Sequence, residues 1–227
     1  AARRALDDME GRGARAVLVG GTGLHVRAVV DDLEIPGRYD EVREVLDADD
    51  DTPGLYTRLA GLDPVAAGRM EPTNRRRVVR ALEVTLGSGR PFSSFGPGLE
   101  AYPATPFTQV GLRVDREVLD RRIADRYRHQ LEDGFLDEVR WLAALDGGPS
   151  RSAAQALGYS ELLAHLRGEC TLADAIADAV AATRRFARRQ ERWFRRDPRI
   201  EWFDVGADPL KVLEAVLERF DRCGDPG

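Results

Sequence analysis

Val17-Leu18-Val19-Gly20-Gly21-Thr22-Gly23-Leu24-His25 sets the fold class for the residues around it. Ala16 and the apolar run Val17-Leu18-Val19, with two β-branched residues, predict a short buried strand. Gly20, Gly21, Thr22 and Gly23 then turn the chain, and Leu24, Val26, Ala28, Val29 and Val30 carry apolar character onward, so a helix is expected to open at the turn. Strand, glycine turn and helix is how an α/β protein presents backbone N–H groups to an anion. Glycine admits close approach, and a helix start carries unpaired donors. Gly20 and Gly21 are on that ground candidate anion ligands. The stretch is not a Walker A loop, since no Lys-Ser/Thr pair follows the glycines, and it is not the full dinucleotide fingerprint. A plain structural turn accounts for the same residues equally well, so the chemistry must be argued from elsewhere in the chain.

Outward from the turn, Ala1 to Gly13 reads as the end of a helix, with Ala5, Leu6 and Met9 on one side. A chain opening in the middle of an α/β unit is expected to have lost something N-terminal. Asp31 to Gly37 is a loop, and Asp40 to about Leu86 is helical, with Pro53, Pro64 and Pro72 where new helices could start. Gly87 to Pro106 is loop. Phe107 to Val114 alternates as a strand, with Asp115 placed to cap the next helix, which breaks near Gly134 and resumes to Leu142. Ala153 to Leu166 follows, with Ala156 to Glu161 as a turn into a helix. Leu172 to about Arg196 is a long helix stopped by Pro198, Ile200 to Val205 a last strand and Pro209 to Phe220 a closing helix. The expected organisation is a core α/β part over 1–37, a helical insertion over 38–105, a second core part over 106–206 and a C-terminal helix and tail over 207–227.

With 227 residues, 43% hydrophobic and 32% charged, the chain can bury a core and has a soluble globular composition. No run approaches the roughly 18 apolar residues of a membrane span, and no signal peptide opens the chain, so a cytoplasmic protein with no membrane partner is expected. Cys170 and Cys223 lie far apart without metal-ligand spacing and read as reduced thiols. His25, His129 and His165 have no ligand spacing either, and no metal ligand is assigned within this chain.

The net charge of -5 argues weakly against a nucleic-acid partner, but its distribution argues for one. Between Thr183 and Arg196, at about 100° per residue, Arg184, Arg185, Arg188, Arg189, Arg192, Arg195 and Arg196 fall within an arc of roughly 140°, opposite Val180, Phe186, Ala187, Trp193 and Phe194. Like charges at this spacing destabilise a helix by a few tenths of a kcal/mol per pair, so the stripe calls for an anion: RNA phosphate or a diphosphate. A solvated face paired with the abundant Asp and Glu is the alternative. Arg76, Arg77 and Arg80 form a second basic face opposite Val78, Val79 and Leu82, with Glu83 available to pair inside the helix. Tyr159 is placed either to stack on a base or to sit in a core.

The motifs Val19-Gly20-Gly21-Thr22-Gly23-Leu24, Arg77-Val78-Val79-Arg80-Ala81-Leu82-Glu83-Val84, Leu157-Gly158-Tyr159-Ser160-Glu161 and Thr183-Arg184-Arg185-Phe186-Ala187-Arg188-Arg189-Gln190, with Trp193 and Phe194, occur in that order. In this the sequence resembles the tRNA dimethylallyltransferase (tRNA isopentenyltransferase) family from about Ala1 to Asp204. The resemblance implies a P-loop NTPase-like core, a parallel sheet with flanking helices that is incomplete in this chain, and a helical insertion domain. It implies transfer of a dimethylallyl group from its diphosphate to N6 of the adenine 3′ to the anticodon, in tRNAs reading codons that begin with U. Thr22 matches the family's catalytic threonine, and Arg126 and Arg184 are placed with the diphosphate. Arg43, Arg77, Arg80, Gly158, Tyr159, Arg188, Arg189, Gln190, Trp193 and Arg195 match tRNA contacts, and Arg76 is placed with them although the residue type differs.

The sequence also departs from the family's pattern. Thr73-Asn74 and Arg76 stand where the family usually has Asn-Asp and Gln, and His25 stands where it has Tyr. The family's P-loop, its base and most ligands of its Mg²⁺ fall upstream of Ala1, so this chain is expected to be an inactive C-terminal part, a monomer that binds the tRNA anticodon stem-loop and dimethylallyl diphosphate. The alternatives are an isopentenyltransferase acting on free adenylate, which has no use for the helical insertion or the long arginine stripe, and a non-catalytic tRNA-binding module.

Overall fold

Many helix starts fall where a side chain answers the unpaired N–H groups of a first turn, as at Asp51, Asp63, Asn74 and Asp115. A computed structural model describes residues 1–96, 98–206 and 208–222 and divides the chain into two compact units, Ala1–Phe107 and Thr108–Gly227. Residues 1–37 fall in the same unit as the helices of 38–105.

In the first unit α1 spans Ala2–Gly11, α2 Gly23–Val30, α3 Asp40–Asp47, α4 Thr52–Leu62, α5 Pro64–Ala67 and α6 Arg75–Ser88, followed by a single 3₁₀ turn at Phe92–Phe95. Asp51 caps α4 by accepting from the Gly54 amide at 3.0 Å, and Asp63 caps α5 through the Ala66 amide at 2.9 Å. Asn74 caps α6 through the Arg77 amide at 3.3 Å. Pro53 and Pro64 occupy first turns as the spacing predicts, whereas Pro72 lies in the turn that precedes α6. The core gathers Leu46, Leu55, Leu59, Ala67, Val78, Val79, Ala81 and Leu82, so α6 packs on both α3 and α4.

The expected buried strand at Ala16–Val19 is not formed. Val17 is 70% and Val19 88% exposed, and residues 14–22 run without ladder pairing. Extended backbone becomes a buried strand only beside a partner edge, and the two strands among the described residues pair with each other. The helix expected after the glycines does open at Gly23, with Thr22 as its N-cap residue.

In the second unit β1 (Gln109–Arg113) and β2 (Ile200–Asp204) pair in parallel, Gln109 opposite Ile200 through Arg113 opposite Asp204. Between them run α7 (Arg116–Glu132), α8 (Phe135–Ala143), α9 (Arg151–Ala154), α10 (Tyr159–Leu166) and α11 (Leu172–Phe194). A 3₁₀ turn at Pro209–Val212 leads into α12 (Leu213–Arg222), which Arg219 ties back to Glu201 of β2 at 2.5 Å. Asp115 accepts from the Glu117 and Val118 amides, and Gly134, at φ +93°, separates α7 from α8. Ile123, Tyr127, Phe135, Val139, Leu162, Ala175, Ala179 and Val180 form the second core. Cys170 is a free, half-buried thiol, and Cys223 lies outside the described residues. The fold is α/β, mostly helical with a small parallel sheet.

Candidate nucleic-acid interface

The start of α2 leaves a hydroxyl unspent. The Thr22 carbonyl accepts from the His25 and Val26 amides at 2.9 and 3.1 Å, while its exposed side chain makes no capping hydrogen bond. Gly20, Gly21 and Gly23 all keep negative φ, so the turn does not require glycine for a left-handed conformation. What Gly20 supplies is closeness, since a Cβ there would stand 3.3 Å from Val26 Cγ2. Arg27, one turn on, is a residue that motif reading missed. Only 3% exposed, it pairs with Asp31, donates to the carbonyls of Leu99 at 3.0 Å and Ala101 at 2.6 Å, and lies over the Tyr102 ring. It pins the 99–102 segment to α2. Its only sequence signal is an Asp four residues on.

On α6 the basic face divides in two. Arg80 donates to Glu83 at 2.6 Å and to the carbonyls of Pro36 and Gly37 at 2.9 and 3.0 Å. Arg43 donates to Asp47 at 2.7 Å and lies 3.4 Å from Glu83, and these partners, Asp47 first, raise its pKa further. Glu83 is 3% exposed and also accepts from the Tyr39 amide at 3.0 Å, so one buried carboxylate brings Arg43 and Arg80 together. Arg76 and Arg77 are exposed, and their guanidinium groups have no partner among the described residues. Two shallow notches lie in this unit. One of about 340 Å³ is lined by Pro53, Tyr56, Pro72 and three threonines, and one of about 290 Å³ by Gly68, Arg69, Met70, Glu71 and Arg77.

In the second unit Tyr159 is half-buried and packs on the core. Its ring meets Phe135 edge-on at 5.0 Å, and its hydroxyl donates to Glu138 at 2.7 Å, which together with burial raises the phenol pKa. Gly158 holds φ +89°, and a Cβ there would stand 3.0 Å from both Phe135 and Tyr127. Only glycine fits that corner. Beneath it the Tyr127 hydroxyl and Thr183 Oγ1 share a buried hydrogen bond of 2.9 Å.

The α11 stripe forms as the periodicity predicts. Thr183, Val180, Ala179 and Ala175 are buried, while Arg185, Arg189, Arg192, Arg195 and Arg196 are exposed. Phe186, Ala187, Trp193 and Phe194 are half-buried. Arg184 is drawn to α7, donating to the Asp120 carbonyl at 3.1 Å with its Nε 3.5 Å from the Asp120 carboxylate. Arg195 pairs with Glu191 at 3.3 Å, and Arg189 lies over the Phe186 ring. Arg185, Arg188 and Arg192 have no partner among the described residues. Arg126 lies over the Tyr127 ring, and no contact among the described residues joins it to Arg184. Among those residues no group of three or more His, Cys, Asp or Glu is placed to hold a metal ion, and no helix is long and apolar enough to cross a membrane.

The model of the IPP transferase family matches residues 1–197. A tRNA dimethylallyltransferase from Thermobifida fusca is 46% identical over 228 residues, covering 98% of this chain and 70% of the relative. One from Streptomyces coelicolor is 45% identical over 225 residues, covering 97% of this chain and 72% of the relative. The crystal structure of the full-length tRNA isopentenylpyrophosphate transferase from Bacillus halodurans matches with a TM-score of 0.64 at 32% identity, over 98% of this chain and 71% of that one. A eukaryotic dimethylallyltransferase acting on tRNA matches with a TM-score of 0.70 at 22% identity over 97% of this chain and 58% of its own, a likeness of fold alone.

Proposed function

The chain belongs to the IPP transferase family, and from that premise we propose that it acts in the transfer of a dimethylallyl group from dimethylallyl diphosphate to tRNA. The acceptor is N6 of the adenine 3′ to the anticodon, in tRNAs reading codons that begin with U. A C–N bond forms between that nitrogen and the allylic carbon, the C–O bond to the diphosphate breaks, and the amine gives up a proton. For this the adenine leaves its stack. The Thr22 hydroxyl, exposed and unused by its helix, is a hydrogen-bonding group beside the amine and the leaving diphosphate, with the Gly20 and Gly21 backbone. Arg126 and Arg184 are assigned to the diphosphate charge, although Arg184 must share its guanidinium with Asp120. Among the described residues no group of three or more His, Cys, Asp or Glu is placed to hold a Mg²⁺ ion.

The observation that supports the RNA side of the reading most strongly is the face of α11. Arg185, Arg188 and Arg192 stand partnerless there in a chain whose arginines elsewhere are largely paired. With Arg189, Gln190, Trp193 and Arg195 they follow the anticodon arm chiefly through phosphates and shape. Arg76, Arg77, Arg80, Arg43, Gly158 and Tyr159 belong to the same contact set. Arg43, Arg80 and Tyr159 already hold internal partners and serve partly by fixing the surface that presents the others. A P-loop NTPase-like core with 38–105 as a helical insertion, a monomeric state and a cytoplasmic location complete the proposal.

Competition tests the substrate class. A fluorescent anticodon stem-loop carrying adenine 3′ to the anticodon binds the chain and is displaced by tRNA, while AMP in large excess leaves it bound. Displacement by AMP, with no preference for the stem-loop, would replace tRNA by free adenylate as the acceptor.

A further inference from the structure

We propose that Arg69 and Arg77 form a phosphate clasp beside the start of α6, a second grip on the RNA backbone that none of the motifs discloses. The clasp rests on the tRNA reading above and adds Arg69 to it. Both side chains line the notch of about 290 Å³ shared with Gly68, Met70 and Glu71. Both rise from fixed backbone. The Arg69 amide closes on the Ala66 carbonyl at 3.1 Å and that of Met70 on Ala67 at 3.2 Å, while the Arg77 amide donates to the Asn74 side chain at 3.3 Å. Neither guanidinium makes a hydrogen bond or ion pair among the described residues, although the Arg69 charge acts at longer range on the buried Asp63 carboxylate, whereas Arg27, Arg43, Arg75 and Arg80 of the same unit are all satisfied internally.

Two guanidinium groups around one notch repel each other until an anion enters, and a phosphodiester offers the oxygens that such forks bind in pairs. The lining is mostly polar, with half-buried Met70, packed on the core, its one large apolar side chain. Glu71 is the opposing feature: its exposed carboxylate lines the same notch and must weaken an anion's hold. That opposition supplies a test of sign.

Binding of the anticodon stem-loop by the full chain is measured across a salt series, with circular dichroism on each variant. Arg69→Ala is expected to weaken binding about tenfold at low salt, and to reduce the slope of log K against log salt by about 1, because one phosphate contact is lost. Arg69→Lys recovers the slope but only part of the affinity, since the charge returns without the fork. Glu71→Gln tightens binding about twofold by removing a like charge from the anion's surroundings. If Arg69→Ala binds as wild type while Arg188→Ala/Arg192→Ala is impaired, the clasp is overturned and the tRNA reading stands. If wild type binds no RNA, both fall. Should Arg69→Ala fail to fold, Glu71→Gln decides alone: tighter binding supports the clasp, and unchanged or weaker binding overturns it.

Discussion

Arg27, which belongs to none of the sequence motifs, is a structural residue. Its guanidinium is spent on Asp31, two carbonyls and an aromatic ring, and the Arg27–Asp31 pair itself is buried. Removing one partner of such a buried pair leaves the other charge desolvated, at a cost of about 3–5 kcal/mol. Arg27→Met is expected to lower the urea midpoint correspondingly, and an unchanged midpoint would mean that the 99–102 segment is held by something else. Asp63 contributes a pH dependence. Burial alone would raise its pKa, but hydrogen bonds from the Ser93 and Ala66 amides, with the Arg69 charge, leave it below the usual carboxylate value. A carboxylate with a depressed folded pKa stabilises above its unfolded value, near about 3.9, and that contribution is lost as pH falls through the folded value. Asp63→Asn should therefore be less stable at neutral pH and should lose less stability than wild type between pH 5 and pH 2 (roughly the acid range of such carboxylates). A parallel loss in both proteins would contradict the assignment.

Among the elements, those whose ends are set locally were legible in the sequence. Asp115 announces α7, Pro53 and Pro64 announce α4 and α5, and Gly134 breaks α7 from α8, because each acts on its own first or last turn. The segment at Val17–Val19 was not, because its burial depends on partner edges that periodicity within one segment cannot report. The corner before α10 lies between these cases. Gly158 reads as a turn, but that it must be glycine follows only from Phe135 and Tyr127 packed against it. The β1–β2 pair has the same property at Gly111, which lies opposite Trp202 and whose Cβ would stand 2.7 Å from that ring and 2.9 Å from Ile200 Cγ2. Gly111→Ala is expected to cost about 1–3 kcal/mol by overpacking, read as a lowered unfolding midpoint. An unchanged midpoint would mean that Trp202 turns aside freely.

For the whole molecule, an acidic chain of net charge -5 carries its positive charge as faces rather than as a total. The α11 face was readable because helical periodicity fixes which residues share a side. Which of its arginines are free was not, since Arg184 is claimed by Asp120 on another helix and Arg195 by Glu191 one turn back. The same holds on α6, where Glu83 and the Pro36 and Gly37 carbonyls take Arg80 and leave Arg76 and Arg77. On the proposed reading RNA meets the arginines that folding does not consume, and salt dependence is where that difference is measured. The decisive measurement is tRNA binding by the wild-type chain and by Arg188→Ala/Arg192→Ala across a salt series. The account predicts that wild type binds with a steep negative slope, and that the double variant, folded by circular dichroism, loses affinity and about 2 units of slope, at about 0.9 per phosphate contact. Equal affinity and equal slope in the two proteins would contradict it, reducing the α11 stripe to a solvated surface.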